Sequence, residues 1–274
     1  MQLSRRKFLY MAAGAATLVF IPLTLSGQSA SSQTTRTVRI IVPFPPGGSA
    51  DILTRLLGEQ LNRATGPTVV IENRPGGGAA IAYEAVAHAA PDGNTLVING
   101  NSLVINPHFR KVNYDPLTSF EPVCHLVNSP NLIVVNSSSP YRTLDDYLVT
   151  ARSRPNYSEA MEQLNAGKLR ALVSLSRERI TALPDVPSMT DVGFGDSSLE
   201  IWFGVLAPAK TPKDMVTELA TWFKAAMQAP GVKPRLMGLG LYPVGTCLEG
   251  FAAHIRKQYE EYGRIIHEAN IKPG

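Results

Sequence analysis

The segment that decides the fold is residues 43–57, which read PFPPGGSADILTRLL. A β-rich stretch, residues 36–42 (RTVRIIV), precedes it, and apolar residues at helical spacing follow its aspartate. The two prolines restrict the backbone, whereas the two glycines allow a ligand to approach the main chain closely. The first N–H groups of a helix are unpaired and carry positive potential, so this strand–loop–helix corner favours a small anion.

The same order of strand, loop and helix recurs along the first hundred residues. Residues 68–72 (TVVIE) and 95–99 (TLVIN) read as strands, and a helix of small residues is expected over 79–90. This rhythm predicts a doubly wound, Rossmann-like α/β fold in which these strands are parallel. Ligands bind such sheets at the carboxyl ends of the strands, where PFPPGGSAD, NRPGGGAA and residues 100–102 lie.

The second half of the chain is expected to continue the alternation of helices and strands. No internal repeat or low-complexity tract interrupts it. Apolar periodicity and helix start and stop signals predict strands at 131–135, 169–175 and 199–206, and helices at 144–152, 158–166, 213–228 and 248–268.

Phosphate-binding and catalytic motifs do not fit the glycine-rich loop. A P-loop requires G-x-x-x-x-G-K-[ST] and a dinucleotide fingerprint requires G-x-G-x-x-G, and the loop contains neither. Ser49 lies in G-G-S-A-D rather than in the G-x-S-x-G of a nucleophile elbow, and the five histidines are scattered without metal-ligand spacing. We therefore expect no catalytic residues, no metal and no cofactor. Asp51 has two open roles, helix-start support and ligand contact, because a carboxylate is favourable in the first turn of a helix.

Residues 1–30 have the layout of an export signal that is removed from the mature protein. Consecutive arginines in SRRKFL match the twin-arginine type, with general secretion as the alternative. The apolar stretch that follows, roughly residues 10–25, is short for a membrane anchor and is interrupted by Pro22. We expect an exported, periplasmic protein, with cleavage between Gly27 and Gln33.

The charge balance argues against nucleic-acid binding, and the two cysteines argue against a cysteine metal site. The chain has 26 basic and 22 acidic residues, and three of the basic ones lie in SRRKFL, so the remainder is nearly neutral. No basic run remains that would bind nucleic acid. Cys124 and Cys247 fit no metal-ligand spacing, and we expect them to be unpaired thiols, although an exported protein can form a disulfide.

Several motifs, taken in order, resemble one family of receptors. They are VPFPPGGSADILTRLL, IENRPGGGAAIAYEAVAHAAPDGNTL, NPHFRKVNYDPLTSFEPV, AGKLRALVSLSRERITALPDVPSMTDVGF and WFGVLAPAKTP. Together they are similar to the Bug-type substrate-binding receptors of tripartite tricarboxylate transporters. The resemblance runs, with one break, from about Val38 to the final helix.

The resemblance implies a periplasmic solute receptor with the type II binding-protein fold, in which two α/β lobes enclose a ligand cleft. Lobe 1 would comprise residues 36–125 and 205–274, and a truncated lobe 2 would comprise residues 126–204. Family ligands are mostly small carboxylates and related metabolites, held by backbone groups and bridging waters. The receptor would be a monomer that delivers its ligand to membrane permease subunits. The candidate ligand-binding residues lie in the first loop and at two neighbouring strand ends: Phe44, Pro45, Pro46, Gly47, Gly48, Ser49, Ala50, Asp51, Asn73, Gly77, Gly78, Asn101 and Ser102.

Two departures from the family pattern bear on ligand binding. The family continues its second turn as P-G-x-G-G-N-I-G, whereas residues 79–82 of this chain read AAIA, which trades backbone freedom for helix propensity. In addition, the segment RPNY at residues 154–157 runs directly into SEAMEQLNAGKLRAL. Several dozen residues are absent there, including the second-lobe ligand loop of the family. With one wall missing, we expect the ligand to stay solvated on one side and to bind weakly or not at all.

Two other functions remain as alternatives. An exported interaction or sensory protein would dock on a membrane partner without carrying solute, and would co-purify with that partner in the absence of solute. A serine hydrolase would depend on Ser49, and its activity on generic esters would disappear in Ser49→Ala.

Overall fold

The computed structural model describes residues 36–64, 67–151, 169–194 and 199–271. Its strands are β1 (Thr37–Val42), β2 (Thr68–Asn73), β3 (Thr95–Asn99), β4 (Phe120–Ser129), β5 (Leu132–Asn136), β6 (Leu169–Ser174), β7 (Ile201–Pro208) and β8 (Tyr242–Cys247). Its helices are α1 (Ser49–Ala64), α2 (Ala80–Ala87), α3 (Ser102–Phe109), α4 (Leu144–Ala151), α5 (Lys213–Gln228), α6 (Val232–Gly238) and α7 (Glu249–Glu268).

Six of these strands form one mixed sheet in the order β2-β1-β3-β7-β4-β8. β1 pairs in parallel with both β2 and β3, which confirms the parallel arrangement predicted for the first three strands. The other strands join in antiparallel register, β7 against β3, β4 against β7 and β8 against β4. The sheet is therefore parallel only among the strands that lead into the candidate loops.

Two apolar cores lie on opposite faces of the six-stranded sheet. On one face, Leu57 of α1 and Phe223 of α5 are buried with Ile98 of β3. On the other face, Tyr83 of α2 and Phe251 of α7 are fully buried in the second core. Because fully burying one such side chain stabilises the fold by about 1.5–3 kcal/mol, this sheet is a firm base for the loops at its margin.

The remaining strands, β5 and β6, form a separate antiparallel sheet of two strands. The apolar cluster beside it is small, because within the described ranges its buried members are only Leu144, Val173 and Met189. Every residue of β5 is at least partly exposed. This sheet falls inside residues 126–204, the range predicted as lobe 2, whose boundaries stay a prediction.

The expectation that the two cysteines are unpaired is wrong. Cys124 of β4 and Cys247 of β8 lie opposite each other in the sheet and form a disulfide. They are 123 residues apart in the sequence, and only the antiparallel pairing of β8 with β4 brings them together. The bond ties β8, the outermost strand, to its neighbour.

Most of the predicted helices and strands are present within a few residues of their expected bounds. The helix over 213–228 and the strand over 95–99 begin and end where predicted, while the helix predicted over 158–166 lies outside the described residues. The pattern missed α3, β4, α6 and β8. Pro107 inside α3 and Pro122 inside β4 explain two of these omissions, because proline is unfavourable in both settings.

Candidate functional site

The loops that follow β1 and β2 meet at one corner of the sheet. Their strands are parallel neighbours, so both carboxyl ends point the same way. Arg74 N–H donates to Val42 O at 2.8 Å, and the Asn73 amide Nδ2 donates to Phe44 O at 3.1 Å. The structure thus brings the first two candidate segments together, as expected from parallel strands.

The first loop, residues 43–48, is exposed from Pro45 onwards. Gly47 has φ of +84°, a left-handed conformation that residues with a side chain rarely adopt. The first i→i−4 bond of α1 runs from Ile52 N–H to Gly48 O at 3.0 Å. The N–H groups of the three residues before Ile52 precede that bond and give this helix start its positive potential. The exposed residues of the loop are Pro45, Pro46, Gly47 and Gly48, and Ser49, the first residue of α1, is exposed as well.

Asp51, in the first turn of α1, points inward and is only 3% exposed. Its Oδ2 accepts hydrogen bonds from Gly47 N–H and from Arg55 Nε, both at 2.9 Å, and its Oδ1 accepts one from Asn73 Nδ2 at 2.9 Å. The bond from Arg55 contributes most to lowering the pKa of Asp51 to about 2, with the bonds from Gly47 and Asn73 adding to it against the effect of burial. The carboxylate is charged at neutral pH and is bonded within the protein. This supports the first of its two open roles, support of the helix start and its loop.

Asn73, a candidate ligand residue at the end of β2, also uses its side chain inside the protein. Besides its two donated bonds, its Oδ1 accepts a hydrogen bond from Arg55 Nη2 at 3.1 Å. Arg55 was not among the candidates, although its i,i+4 spacing from Asp51 on a predicted helix is a signal that could have found it. Phe44 is half-buried, and its ring lies edge-on to Phe203 at a centroid distance of 6.2 Å.

The second loop turns through consecutive left-handed residues. Gly77 and Gly78 have φ of +57° and +61°, and Ala79 has φ of +79°. The helix predicted from residue 79 begins instead at Ala80, after a single 3-10 turn over Gly77–Ala79. The expectation that AAIA only favours helix is therefore wrong at Ala79, which adopts a left-handed conformation. That conformation costs a residue with a Cβ about 1–2 kcal/mol.

The carbonyl groups of this glycine turn are bonded to residues of α3 and its end. Asn106 Nδ2 donates to Gly78 O at 2.8 Å, and Arg110 Nη1 donates to Gly77 O at 3.2 Å. Gly77 and Gly78 themselves are exposed. The turn is thus held through its oxygens while its outer surface remains accessible.

Asn101, after β3, uses its whole side-chain amide to join three parts of the chain. Its Nδ2 donates to Glu200 O at 2.9 Å and to the Tyr262 hydroxyl at 2.6 Å. Its Oδ1 accepts a hydrogen bond from Trp202 N–H at 3.0 Å. The amide therefore connects the end of β3 to the start of β7 and to α7, and a direct ligand contact by Asn101 stays a prediction.

Ser102, the first residue of α3, is paired with a buried tyrosine. Its Oγ lies 2.9 Å from the Tyr83 hydroxyl, which also accepts a hydrogen bond from Gly100 N–H at 3.3 Å. Burial raises the pKa of Tyr83 to about 12, so the phenol stays neutral. These bonds fix the third candidate segment to α2.

Two histidines lie side by side where α7 packs on the sheet, the buried His125 of β4 and the half-buried His254 of α7. The rings of His125 and His254 lie 4.4 Å apart, next to Trp202. His125 Nε2 lies 2.8 Å from Asn128 Oδ1, as expected for an interior histidine, whereas no atom of the described residues bonds to His254 Nε2. Burial lowers the pKa of both rings, to about 4 for His254. Both are therefore neutral at pH 7 and pack as core rings.

Metal-binding clusters and membrane-spanning helices are absent from the described parts of the chain. Within residues 36–64, 67–151, 169–194 and 199–271, no group of three or more His, Cys, Asp or Glu side chains could hold a metal ion. None of the helices in those ranges has the length and apolar character needed to cross a bilayer. Ser49 is exposed at the start of α1, and the segment around it, residues 43–57, contains no histidine.

Comparison with known sequences gives consistent matches. The family model described as "Tripartite tricarboxylate transporter family receptor" matches residues 53–160 and 157–271, in two segments that meet at residues 157–160. The protein BugT of Bordetella pertussis is 25% identical over 304 aligned positions, which cover 89% of this chain and 92% of BugT.

Solved structures match the fold over nearly their whole length. One described as a periplasmic transporter is 30% identical, with a TM-score of 0.78, and the match covers 88% of this chain and 99% of that one. An R. palustris protein solved with adipate is 26% identical, with a TM-score of 0.78 and coverage of 88% and 100%. The periplasmic-binding-protein-like α/β fold predicted from the sequence is thereby confirmed.

Proposed function

The chain belongs to the tripartite tricarboxylate transporter receptor family, and we propose that it binds a small carboxylate in the periplasm and delivers it to the permease of such a transporter. The observation that carries the proposal is the first loop, an exposed glycine-rich segment at the start of a 16-residue helix. Main-chain N–H groups at a helix start favour a carboxylate. The R. palustris relative solved with adipate supports the same class of ligand.

The ligand contacts belong to this proposal. Because Asp51, Asn73 and Asn101 spend their side chains on bonds within the protein, we assign recognition mainly to the main-chain N–H groups at the start of α1 and to the exposed Ser49. The glycine turn and Ser102 lie at neighbouring strand ends and add weaker contacts. The receptor carries out no reaction on its ligand.

Export and assembly are also proposed. Residues 1–30 would act as a twin-arginine-type signal that is removed, leaving a monomeric receptor in the periplasm. The partner would be the membrane permease of the transporter, in keeping with the family to which the chain belongs.

We further propose that the second lobe is shortened near residues 154–158 and that ligand binding is weak as a result. The two matching segments of the family model meet at residues 157–160, close to the break in the family's motif order. The alignment with BugT runs over 304 positions although this chain has 274 residues, so BugT has residues without a counterpart here. A ligand with one wall left open keeps much of its hydration, and its hydrogen bonds then gain little net free energy.

The test is a binding screen on the mature protein with adipate, malate, citrate and acetate. Thermal shift and calorimetry should detect saturable binding of at least one carboxylate, with Kd at about 0.1–1 mM. At a hundredfold excess over Kd the ligand adds ~2.7 kcal/mol of apparent stability, which a thermal shift detects easily. No saturable binding at about 10 mM would refute the receptor, and nanomolar binding would refute the weakening.

A matched pair of glycines separates the loop from general backbone strain. Gly47 and Gly231 have φ of +84° and +80°, and neither has an atom near the position of an added Cβ. Gly47→Ala and Gly231→Ala therefore introduce similar strain, but only the first should abolish the ligand-induced shift. Equal ligand shifts in both variants would place the ligand elsewhere. Ligand-independent co-purification with a permease, or esterase activity lost in Ser49→Ala, would favour the sensory or the hydrolase alternative.

A further inference from the structure

Three side chains behind the first loop form a closed set, which we call the loop brace: Asp51, Arg55 and Asn73. Arg55 donates to Asp51 Oδ2 at 2.9 Å and to Asn73 Oδ1 at 3.1 Å, and Asn73 donates to Asp51 Oδ1 at 2.9 Å. Two bonds reach from this set to the loop, one from Gly47 N–H to Asp51 Oδ2 at 2.9 Å and one from Asn73 Nδ2 to Phe44 O at 3.1 Å. The brace thus holds the loop at Phe44, just before the exposed segment, and at Gly47 in the middle of it.

We propose that the loop brace positions the ligand-binding loop for an anion, with Arg55 cancelling the charge of Asp51 so that the main-chain N–H groups face the ligand unopposed. This inference rests on the proposed function. It makes Asp51, Arg55 and Asn73 positioning residues, which act on the ligand through the loop rather than by contact.

The brace would order a loop that has little order of its own. The exposed segment contains two glycines, and glycine loses more conformational freedom on ordering than any other residue. Its side chains offer little packing, because Pro45, Pro46 and Ser49 are exposed. An ordered loop lowers the entropy that a ligand must remove on binding. The bonds at Gly47 and Phe44 supply that order. They come from Asp51, which is buried, and from Asn73, which is half-buried.

The brace also neutralises the negative charge next to the loop. A lone carboxylate at Asp51 would repel an anion that approaches the N–H groups in the same helical turn. Arg55 pairs with it at 2.9 Å, and the Asp51 side chain is 4% exposed while that of Arg55 is 53% exposed. The positive group therefore lies on the outer side of the pair, and the pair as a whole is neutral towards the ligand.

The helix that carries the brace also supplies a control. Arg63 pairs with Glu59 at 2.6 Å, with the same i,i+4 spacing and on the same helix, but both of these side chains are largely exposed and have no bond to the first loop. Arg63→Met therefore removes an equivalent ion pair without touching the brace. Exposed pairs contribute little stability, so Arg63→Met should change Tm by no more than a few degrees. Arg55→Met should lower Tm more, because it leaves the buried Asp51 carboxylate without its charged partner.

The experiment measures two quantities in the mature protein: hydrogen exchange of the Gly47 amide without ligand, followed by NMR, and the Kd for adipate by calorimetry. In Arg55→Met we expect exchange about 10-fold faster and Kd about 10-fold weaker, since a charge-assisted bond is lost. Arg55→Lys should recover both to within about 3-fold, because it restores one charged donor. Arg63→Met should stay within about 2-fold of the parent in both measurements.

Asp51→Asn separates order from charge. It leaves Arg55 as an unpaired cation, which would strengthen adipate binding if charge alone mattered. It also removes the charged acceptor for Gly47 N–H, so we expect faster exchange and weaker binding, about 10-fold in each.

Each outcome decides the inference. Arg55→Met behaving like Arg63→Met in both measurements would overturn it, as would tighter adipate binding in Asp51→Asn. If the parent protein fails to bind adipate or any other carboxylate of the screen, the proposed function fails, and Gly47 exchange alone then decides whether the brace orders the loop. If the parent binds and Gly47 exchange is the same in all variants, the receptor function stands and the brace is refuted.

Discussion

The first loop and the chain around β5 and β6 differ in the burial of the carboxylates that hold them. The carboxylate behind the first loop is buried, whereas those near β5 and β6 are exposed. The first loop lies beside a six-stranded sheet with apolar cores on both faces, and its central carboxylate, Asp51, is 3% exposed. The two-stranded sheet has a small core, and the carboxylates that order its neighbouring turns are exposed. Asp146 accepts bonds from the N–H groups of Arg142 and Thr143, both at 2.9 Å, and Asp191 accepts one from Arg179 Nε at 2.8 Å.

A binding loop stays rigid where its polar contacts lie against a large apolar core. Water screens exposed ion pairs, which contribute about 0–1 kcal/mol each to stability. Hydrogen bonds that lie against a packed core are shielded from water and are stronger. A two-stranded sheet is also at best marginally stable without further packing. We therefore infer that the first loop inherits its order from the large sheet, and that the region of β5 and β6 has the lower local stability.

The largest expected effect compares one leucine from each region. Leu57→Ala removes a side chain that is 0% exposed in the larger core, and should lower the free energy of unfolding by about 2–5 kcal/mol. Leu144→Ala, in the small cluster, should cost only about 1–2 kcal/mol because solvent and neighbouring chain can fill the space.

Urea unfolding followed by tryptophan fluorescence and by circular dichroism checks this pair. Both tryptophans belong to the large-sheet region, Trp202 in β7 and Trp222 in α5, so their emission reports that region. Leu57→Ala should shift the fluorescence midpoint strongly, and Leu144→Ala should shift mainly the dichroism curve. Equal shifts of both curves in both variants would contradict the inferred difference in local stability between the two regions.

The disulfide should give the next largest effect, and it joins two strands of the large sheet. Reducing Cys124–Cys247, or replacing both cysteines by alanine, should cost about 2–4 kcal/mol, because a closed loop of 123 residues restricts the unfolded chain. Thermal unfolding with and without reductant measures the loss. The double alanine variant is the control, since reductant should leave its Tm unchanged; a reductant-dependent Tm in that variant would contradict the assignment.

Local pattern was enough to predict the first loop, its helix and the parallel strands beside it. Proline, glycine and apolar spacing act within a few residues, so PFPPGGSADILTRLL carries its own structural information. Asn73 and Arg55 come together only because β2 docks beside β1, and Cys124 meets Cys247 only because β8 docks on β4. Such contacts depend on topology, which spacing along one chain does not determine. The positive φ of Ala79 was missed for a related reason, because alanine signals helix while the turn required a left-handed residue.

Acid should weaken the two regions at different pH. Burial is the main cause that lowers the pKa of His254 to about 4, from an ordinary value near 6.5. A depressed histidine pKa means that the unfolded chain binds the proton first, so stability present above about pH 6.5 is lost as the pH falls towards 4. Asp146 and Asp191 have lowered pKa values through hydrogen bonds to their carboxylates, so their contribution is lost only below their ordinary value of 3.8.

His254→Phe tests this difference in the large sheet. The substitution keeps a ring beside Trp202 and removes the unpaired Nε2. Tryptophan-monitored unfolding of the parent should lose on the order of 1 kcal/mol between pH 6.5 and 4.5, and the variant should lose less. A parent and variant with the same pH dependence would show that His254 does not carry the effect.

The smallest expected effect is a gain in stability at the second loop. Ala79 has φ of +79°, and Ala79→Gly removes the strain of a left-handed residue with a Cβ, about 1–2 kcal/mol. The added freedom of the unfolded chain offsets about 0.4–1 kcal/mol of that gain, so the net stabilisation should be about 0.5–1 kcal/mol, or roughly 1–4 °C in Tm. The adjacent Ala80 has φ of −58° at the start of α2, and Ala80→Gly should instead destabilise by about 0.5–1 kcal/mol. If the two substitutions change the free energy of unfolding in opposite directions, Ala79 is strained in the folded protein. The edge of the large sheet would then keep a strained residue at a candidate ligand turn, although the sheet itself is well packed. The same sign at both positions would mean that helix propensity, and not the left-handed turn, governs this segment.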